Sequence, residues 1–500
     1  MRFSHKKTAT LKTIAGLFFP IFVFCCLMQP VAGWSLTNAE EKKMGQEFLK
    51  YARKSFSFVE DPFTVHYLNQ LGHRLAAVFP EEAFEYKFYI IENPVYNAFA
   101  APAGHVFINS GLISAMDSEE ELAGILTHEI AHVYCRHIAE KIDQQKKISL
   151  ATLAGMAAAV FLGSPALAIG SAASGQAASL AYSRQDERQA DQLGVKYLCQ
   201  AGYSARGLLT ILEKIQSRNW FSVYDIPSYL STHPGTDERI AYLDTLLATR
   251  NFERCRQNHQ PDNFSFNLVK TKVTAFYGDP DMALKQFQTD LDKDEKNVLA
   301  HYGCGLALHR KARHAEAADH LRAALANHDG HSEIKKALAG VCLARGEYQE
   351  ALDIISAMPA TDWYDHEKQL LRAKAALKTG RLSESISILE AILDRRPDDN
   401  EVLYALGNSH GKKGNDSRAH YYLGLYYKNK DKPETALFHL EKALSLTDDS
   451  VRKEDIKIII EEVKNKDQKR SSSDRKTSEE LRRSAATAIG DADRYLQDRS

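Results

Sequence analysis

The pentapeptide His128-Glu129-Ile130-Ala131-His132 is the feature that most restricts how this chain can fold. It lies in the segment LAGILTHEIAHVYCRHIAEKI (122–142), which contains no proline and whose apolar residues recur with helical spacing. Residues four apart share one face of a helix, so both imidazoles can reach one metal ion, with the Glu129 carboxylate beside it. Two histidines and one glutamate at these offsets also arise by chance, so the pattern needs support from elsewhere in the chain.

That support comes from the segment SRQDERQADQLGVKYL (183–198), which again has helical periodicity. Glu187 and Asp191 lie four residues apart on this predicted helix. A catalytic zinc ion needs three protein ligands and one open position, so we predict Glu187 as the third ligand. Asp191 lies on the same face and could orient a ligand imidazole. The alternative is a solvated charged face with ordinary pairs four residues apart, but the upstream pattern favours the metal site.

HEIAHVYCRH followed by SRQDERQAD resembles the gluzincin family of zinc metallopeptidases that includes the prenyl-protein proteases and HtpX. NAFAAPAGHVFINSGLI (97–113) matches the segment before HExxH in that family, and STHPGTDERI (231–240) matches its downstream His-Pro segment. The periplasmic BepA-type branch of the family adds C-terminal repeats. The resemblance implies a mostly α-helical protein, with a gluzincin-type domain of helices and a small β-sheet followed by a tetratricopeptide-repeat α-solenoid.

The predicted chemistry is hydrolysis of peptide bonds with one Zn²⁺. Zinc lowers the pKa of bound water toward about 7 and polarises the substrate carbonyl. Glu129 is expected to act as the general base and then as the proton donor to the leaving amine. The predicted metal ligands are His128, His132 and Glu187.

His233 and Arg239, in the His-Pro segment, are candidates for stabilising the oxyanion, because the resemblance puts both near the metal. In the BepA-type branch the matching histidine can instead occupy the fourth zinc position and hold the enzyme inactive. The resemblance therefore implies two opposed roles for His233. A third possibility is that His233 is only a turn residue before Pro234.

Residues 97–111 alternate small, apolar and polar side chains and end in Asn-Ser-Gly, which predicts a strand and a turn next to the HExxH helix. In the resembled family this strand lies at the edge of the cleft. An edge strand can pair with an extended peptide through main-chain hydrogen bonds, although it could also be an ordinary sheet edge. The residues predicted to form the substrate edge strand are Val106, Phe107, Ile108 and Asn109.

Residues 1–33 have the pattern of a secretory signal peptide. A basic beginning is followed by the apolar run Ile14–Met28, which is short for a membrane span, and by the small residues Val31-Ala32-Gly33. Trp34 is then the expected first residue of the mature protein, located in the periplasm. An uncleaved anchor is the alternative.

Export would place the cysteines in an oxidising compartment, where disulfides can form. An odd number of cysteines follows the predicted signal peptide, so at least one has no partner within a monomer. We consider two pairs, Cys199–Cys255 and Cys304–Cys342, and expect the other cysteines to be small buried residues. The five cysteines are Cys135, Cys199, Cys255, Cys304 and Cys342.

Residues 150–181 are rich in Ala, Gly and Leu and carry no charge. A membrane span is one interpretation, but Pro165 and several glycines divide the run. The other interpretation, which we prefer, is a helical hairpin over the active-site cleft or in peripheral contact with a membrane surface. A comparable apolar insert in the resembled branch supports it.

After about residue 258 a repeat with a period of about 34 residues appears, the length of a tetratricopeptide unit. Each unit is a pair of helices that stacks on the next and leaves a concave binding face; a generic helical bundle is the alternative. Turn glycines recur once per unit, and Ala312 interrupts that pattern. The positions in register are small residues at 271, 305, 339, 373 and 407, small residues at 283, 317, 351, 385 and 419, and apolar residues at 287, 321, 355, 389 and 423.

These patterns divide the chain into a signal peptide (1–33), a zinc metallopeptidase domain (34–257), a repeat domain (258–450) and a charged, Ser-rich tail (451–500) that we expect to be largely disordered. The formal net charge of −1 gives no reason to expect nucleic acid as a partner.

The resemblance implies an exported zinc endopeptidase that degrades misassembled outer-membrane β-barrel proteins and also assists their assembly. Its expected partners are those unfolded or misassembled proteins and, through the repeats, the outer-membrane barrel assembly machinery. The alternative is a chaperone or scaffold that rarely cleaves. The presence of Glu129 favours retained proteolysis, since an abandoned site would be expected to lose it.

Overall fold

The computed structural model describes the chain in seven stretches, and the chain folds into two compact units. One unit comprises Met1–Val59 and Leu68–Phe266, and the other comprises Glu60–Tyr67 and Asn267–Ser500. The predicted signal peptide and the whole apolar segment 150–181 lie outside the described residues. The described stretches are 36–80, 84–143, 182–219, 228–248, 259–327, 331–359 and 365–466.

The first unit combines α-helices with one small sheet. Its helices are α1 (Asn38–Ser55), α2 (Pro62–Ala76, whose first residues belong to the second unit), α3 (Ser110–Ala115), α4 (Glu119–Tyr134), α5 (His137–Asp143), α6 (Arg184–Gln200), α7 (Arg206–Asn219), α8 (Ser228–Thr232) and α9 (Thr236–Leu247). Its strands are β1 (Lys87–Ile91), β2 (Ala98–Ala101) and β3 (His105–Asn109).

The sheet has the order β1-β3-β2, with β3 parallel to β1 and antiparallel to β2. The predicted substrate edge strand, Val106 to Asn109, is therefore wrong, because these residues belong to the central strand and are paired on both sides. Strand β2 is an outer strand of this sheet. A run of alternating residues predicts a strand, but strand order depends on pairings between distant segments that the local pattern does not contain.

Helix α4 carries the HExxH pattern and is buried along nearly its whole length. A glycine lies at its contact with each of two neighbouring helices. A Cβ built on Gly124 would lie 2.5 Å from the backbone nitrogen of Leu208 in α7, and one built on Gly194 of α6 would lie 3.4 Å from the Cα of His128. Helices α6 and α7 therefore both approach α4 at backbone distance, which fixes α6 opposite the two histidines.

Both site helices begin at serine caps. The Ser118 side chain accepts from the backbone N–H of Glu121 at the start of α4. Ser183 and Asp186 form a reciprocal capping box at the start of α6. Such caps satisfy backbone donors that have no partner inside the helix, and they fix the residue at which each helix starts.

The second unit is a succession of helices. They are α10 (Asn263–Tyr277, which begins in the first unit), α11 (Pro280–Lys293), α12 (Val298–Arg310), α13 (His314–Asn327), α14 (Ser332–Arg345), α15 (Tyr348–Ser356), α16 (Asp365–Lys378), α17 (Leu382–Leu393), α18 (Asn400–Lys412), α19 (Asp416–Asn429) and α20 (Pro433–Leu446). A further helix covers residues 450–466.

The predicted repeat register corresponds to real contacts between consecutive helices. A Cβ on Gly305 would meet the Leu321 side chain at 2.5 Å, and one on Gly407 would meet Leu423 at 2.7 Å. The first position has to be small because the apolar side chain 16 residues later packs directly against it. Ala312, which interrupts the glycine pattern, has a φ of 58°. This is the left-handed region that Gly346, one repeat later, also occupies, with a φ of 82°.

Five charged residues of the second unit form a buried ion-pair network. Lys272 pairs with Asp61 and, at 2.5 Å, with Glu333. Lys336 contacts Glu333 at 2.9 Å and also pairs with Glu367. Burial opposes ionisation of Asp61, but Lys272 and Lys336 outweigh it and lower the pKa of that carboxyl to about 2.

Two expectations from the sequence need correction in this unit. Residues 451–466, predicted as the start of a disordered tail, are helical, and their buried Ile456, Ile460 and Val463 pack in one cluster with residues of α20. Cys304 and Cys342 are free thiols, so the predicted pair between them is wrong.

Only one cysteine of the other predicted pair lies among the described residues. Cys199 is disulfide-bonded, as the other predicted pair requires, whereas Cys255 lies outside the described residues. None of the helices in the described stretches is long and apolar enough to cross a membrane.

Candidate metal centre

Four side chains of the first unit converge at one buried point. His128 and His132 come from α4, Glu187 from α6, and His233 directly follows α8. All four are fully buried, and each offers a ligand atom within 4.8 Å of the others. The structure therefore brings together the three predicted ligands and the candidate for a fourth.

The helical spacing in α4 places the two Nε2 atoms of His128 and His132 3.1 Å apart. Glu187 faces both, with its Oε2 3.5 Å from His128 Nε2 and its Oε1 3.4 Å from His132 Nε2. Imidazole nitrogens and carboxylate oxygens whose lone pairs face one another repel unless a proton or a cation lies between them. This donor set is one that zinc takes in proteins.

Asp191 lies one turn after Glu187 on α6 and contacts the opposite side of His128. Its Oδ1 is 3.0 Å from His128 Nδ1, so it can hold that ring with Nε2 directed at the other donors. Burial and Arg239 oppose protonation of His128, but hydrogen bonds to Asp191 and Glu187 raise the pKa of this imidazole to about 9. In the metal-free protein a proton on His128 would then compete with a metal ion.

Arg239, on α9, is buried and already paired with carboxylates. It donates to both oxygens of Asp191, at 2.9 and 2.7 Å, and its Nη1 lies 2.6 Å from Glu187 Oε2. Burial alone would raise the pKa of Glu187, but Arg239 and His233 outweigh it and hold that pKa well below its usual range. The geometry thus places Arg239 behind two carboxylates, rather than leaving its guanidinium open to a substrate oxygen.

Glu129 is fully buried beside the cluster, and neither of its carboxylate oxygens has a hydrogen-bond partner among the described residues. The Nε2 atom of His233 lies 3.7 Å from Glu129 Oε1. Burial raises the pKa of this carboxyl above its usual range. A buried carboxylate without a partner is costly, so its position requires a group such as water or a substrate to complete it.

His233 has contacts on all sides. Its Nδ1 lies 2.9 Å from Glu187 Oε1, and its Nε2 lies 3.2 Å from the carbonyl oxygen of Ala98 in β2. Tyr229 stacks on its ring, with centroids 4.3 Å apart and planes at 14°. The imidazole therefore lies inside the cluster. His233 is thus more than a turn residue before Pro234.

The sequence patterns missed three residues of this site. Tyr182 stacks on His132 at 3.7 Å between ring centroids, and its hydroxyl donates to the carbonyl of Ala100 in β2. His137 contacts the other side of His132 through Nδ1 at 2.9 Å. Tyr229 precedes His233 by four residues on α8, a helical spacing that could have indicated it. Tyr182 and His137 gave no comparable signal of spacing.

Residues 62–247, which contain the whole cluster, match Peptidase family M48. Residues 308–362 match one family description of the tetratricopeptide repeat, and residues 278–332 and 370–431 match another. The chain carries a peptidase family M48 domain followed by tetratricopeptide repeats. The predicted family and fold class are thereby confirmed, and the M48 match supports a metalloprotease.

Several named relatives match more than half of this chain. The "Beta-barrel assembly-enhancing protease" of Escherichia coli (strain K12) is 28% identical over 386 residues, which cover 74% of this chain and 76% of that protein. The "Putative beta-barrel assembly-enhancing protease" of Vibrio cholerae is 31% identical over 290 residues, covering 56% of this chain and 58% of that one. The "Beta-barrel assembly-enhancing protease" of Yersinia pestis is matched over 62% of its length.

Solved structures similar to this chain include the one titled "Crystal structure of YrrB: a TPR protein with an unusual peptide-binding site". It is 20% identical with a TM-score of 0.26, and the similarity covers 38% of this chain and 90% of that one.

The residues of the M48 domain fit a metal ion of the kind the family implies. The donor set is three imidazoles and one carboxylate, all buried and converging. His128, His132 and Glu187 would hold the ion, and the Glu129 carboxylate lies beside them without a hydrogen-bond partner among the described residues.

Proposed function

We propose that this M48 protein is a zinc-dependent endopeptidase of the periplasm. The observation that carries the proposal is the convergence of His128, His132, Glu187 and His233 within 4.8 Å, beside the partnerless carboxylate of Glu129. A purely structural zinc site would have four permanent ligands and no buried base beside it. The apolar leader at residues 1–33 supports export, with Trp34 as the first mature residue.

In this reaction the bound zinc supplies Lewis acidity toward the substrate carbonyl and makes a water molecule easier to deprotonate. Glu129 accepts the proton of the attacking water and returns it to the leaving amine. Its raised pKa suits both steps, because a base whose pKa lies nearer to neutral pH also donates more readily. His128, His132 and Glu187 hold the metal, and Asp191 with Arg239 keeps two of these ligands oriented.

His233 has to leave its present position before a substrate can enter. Its ring occupies the fourth donor position of the cluster and also contacts the Ala98 carbonyl, which belongs to the outer strand β2. We infer that His233 is an inhibitory ligand rather than an oxyanion donor. A peptidase that meets many other proteins needs such a restraint to spare them.

We therefore assign to β2 the role first predicted for β3, which is to pair with an extended substrate peptide. Ala98 and Ala100 direct carbonyl oxygens toward His233 and Tyr182, at 3.2 and 3.3 Å, on the side facing the cluster. An extended peptide could replace these contacts with main-chain hydrogen bonds and lie across the metal. Recognition through the main chain would allow cleavage of many sequences.

The substrates we propose are misassembled outer-membrane β-barrel proteins, because relatives that match more than half of this chain are named beta-barrel assembly-enhancing proteases. The repeats would recruit these proteins, or the barrel assembly machinery that holds them. A scaffold that assists assembly with little proteolysis is the second candidate, supported by the ring of His233 inside the cluster.

The test is digestion of an unfolded, casein-type protein by the full-length mature protein. Wild type should cleave when loaded with zinc and stop when the zinc is chelated. Glu129→Gln should keep its zinc and lose cleavage by several orders of magnitude, because the proton carrier is gone. Glu140→Gln, an exposed residue on α5, is the matched control and should behave as wild type.

Two outcomes would contradict the proposal. Undiminished cleavage by zinc-loaded Glu129→Gln would rule out this residue as the base. Wild type that binds zinc but cleaves nothing, even after His233→Ala, would favour the scaffold.

A further inference from the structure

His132 has a contact on each side of its imidazole. Its Nε2 faces the candidate metal position, 3.1 Å from His128 Nε2 and 3.4 Å from Glu187 Oε1. Its Nδ1 lies 2.9 Å from Nδ1 of His137, a residue with only 3% of its surface exposed. The other nitrogen of His137, Nε2, lies 3.2 Å from the Oε1 atom of Gln189 on α6.

Only one arrangement of protons satisfies these contacts when His132 binds a metal. His132 Nε2 must then offer a lone pair, so its proton is on Nδ1. That proton can be donated only to the lone pair of His137 Nδ1. The proton of His137 is then on Nε2, where it is donated to Gln189 Oε1, an atom that can only accept.

The contact depends on a backbone turn at the end of α4. Residues five apart on a continuous helix point in different directions, so a straight α4 would carry His137 away from His132. Instead α4 ends at Tyr134, and Arg136 has a φ of 56°, a left-handed conformation that is costly for a residue with a side chain. The chain then reverses into α5, whose first residue, His137, faces back toward His132.

A partly buried ion pair holds this turn. Arg136 donates through Nε and Nη2 to Glu41 Oε2 in α1, at 2.9 and 2.6 Å, and through Nη2 to the carbonyl of Leu36 at 2.7 Å. Glu41 is 2% exposed, so the pair is not an ordinary surface contact. The first helix of the unit thus fixes the turn that presents His137.

We propose that His137 and Gln189 are positioning residues that fix the tautomer and ring orientation of His132 for metal binding. This rests on the proposed zinc site. In this arrangement helix α6 orients both histidines of α4. Asp191 contacts His128 directly, and Gln189 reaches His132 through His137. The two ligands differ in that His128 is backed by a carboxylate and His132 by a neutral imidazole.

The experiment measures zinc affinity of the full-length mature protein by competition with a chelator, together with the thermal unfolding midpoint of the metal-free protein. His137→Leu keeps the approximate volume but removes the acceptor. Zinc affinity should then fall about 10- to 100-fold, the usual effect of removing a partner of a ligand histidine. His137→Asn places an amide oxygen near the lost Nδ1 and should restore affinity to within a few-fold of wild type.

Cys135→Ala is the matched control in the same turn and should leave zinc affinity unchanged. If His137→Leu does not fold, Gln189 carries the test. Gln189→Met should weaken zinc binding several-fold, whereas Gln189→Glu keeps an acceptor oxygen and should not.

A simple packing role for His137 would lower the metal-free unfolding midpoint of the leucine and asparagine variants alike, and zinc affinity with it. The inference is overturned if His137→Leu binds zinc as tightly as wild type, or if the asparagine variant is as weak as the leucine one. If the wild-type protein binds no zinc, the proposed function is refuted, and His132 is then not a zinc ligand that His137 could position. The two failures are therefore distinguishable.

Discussion

Tyr229 lies flat against His233, with ring centroids 4.3 Å apart and an angle of 14° between the planes. The two residues are four apart, and the backbone N–H of His233 donates to the Tyr229 carbonyl at 2.8 Å. Tyr229 is fully buried, and its hydroxyl has no partner among the described residues. The ring stack is therefore the main side-chain contact by which Tyr229 holds His233 in the cluster.

Tyr229→Ala should raise peptidase activity if His233 inhibits by occupying the fourth position. A stacked aromatic pair contributes about 0.5–1.5 kcal/mol beyond its buried area, so its loss should increase the open population about 2- to 10-fold. Tyr229→Phe keeps the stack and should resemble wild type. The measurement is the initial rate of digestion at equal zinc content. A lower rate in the zinc-loaded alanine variant would show that the stack supports catalysis instead.

Glu187→Ala should lower the zinc content of the purified protein, because it removes one of the three predicted ligands and leaves Arg239 without one of its two carboxylates. Asp191→Ala should keep the ligands and weaken zinc affinity about 10- to 100-fold. Metal analysis and chelator competition separate these effects, with Glu140→Ala as the exposed control. Stoichiometric zinc in Glu187→Ala would assign the third ligand to another residue.

The two glycines at the faces of α4 should respond differently to alanine. At Gly194 the new methyl would lie 3.4 Å from the Cα of His128, an ordinary contact, so the variant should fold and bind zinc normally. At Gly124 it would lie 2.5 Å from the Leu208 nitrogen, and backbone cannot move aside easily. We expect Gly124→Ala to lower the free energy of unfolding by about 1–3 kcal/mol. Urea unfolding of both variants tests this, and equal stability would contradict the close packing of α4 and α7.

Asp61→Asn should destabilise the repeat unit in a pH-dependent way. The pKa of Asp61 falls from 3.8 to about 2 in the folded protein, which corresponds to about 2 kcal/mol of stability at neutral pH. Because this pKa is depressed, the contribution is present above about pH 4 and disappears as the pH falls through 2. Urea unfolding followed by circular dichroism should thus show a gap between wild type and variant that narrows from pH 4 to pH 2.

Asp319→Asn is the control for that measurement, since Asp319 forms an exposed pair with Arg322 at 3.7 Å. Such a pair contributes little, so this variant should match wild type at each pH. A gap for Asp61→Asn that stays constant with pH would mean that the lost stability comes from packing rather than from charge.

The parts of the site that could be predicted are those set by helical spacing. His128 with His132, and Glu187 with Asp191, are four residues apart, and that spacing alone places each pair on one face. The approach of the two helices could not be read from local patterns, because it depends on the contact of Gly194 with the His128 backbone.

The sequence patterns did not reveal the parts of the site that depend on contacts between distant segments or on an unusual backbone conformation. The position of His137 depends on a left-handed residue, and arginine at 136 gives no sign of one. Strand β3 is central because it pairs in parallel with β1 and antiparallel with β2. The local pattern of residues in β3 contains no sign of either partner. The repeat register could be predicted because each small residue and its apolar partner lie a fixed distance apart along the chain.

The end of the repeat array follows a shorter interval than the rest. Gly424 lies 17 residues after Gly407, since 424 − 407 = 17, and a Cβ on it would meet Leu440 at 2.7 Å, as one on Gly407 would meet Leu423. Helix α19 is therefore the second member of the pair that it forms with α18 and the first member of the pair that it forms with α20. Helix α19 is thus packed in the same way on both sides, so a larger side chain at Gly424 should disturb the contact of α19 with α20 as one at Gly407 would disturb the contact of α18 with α19.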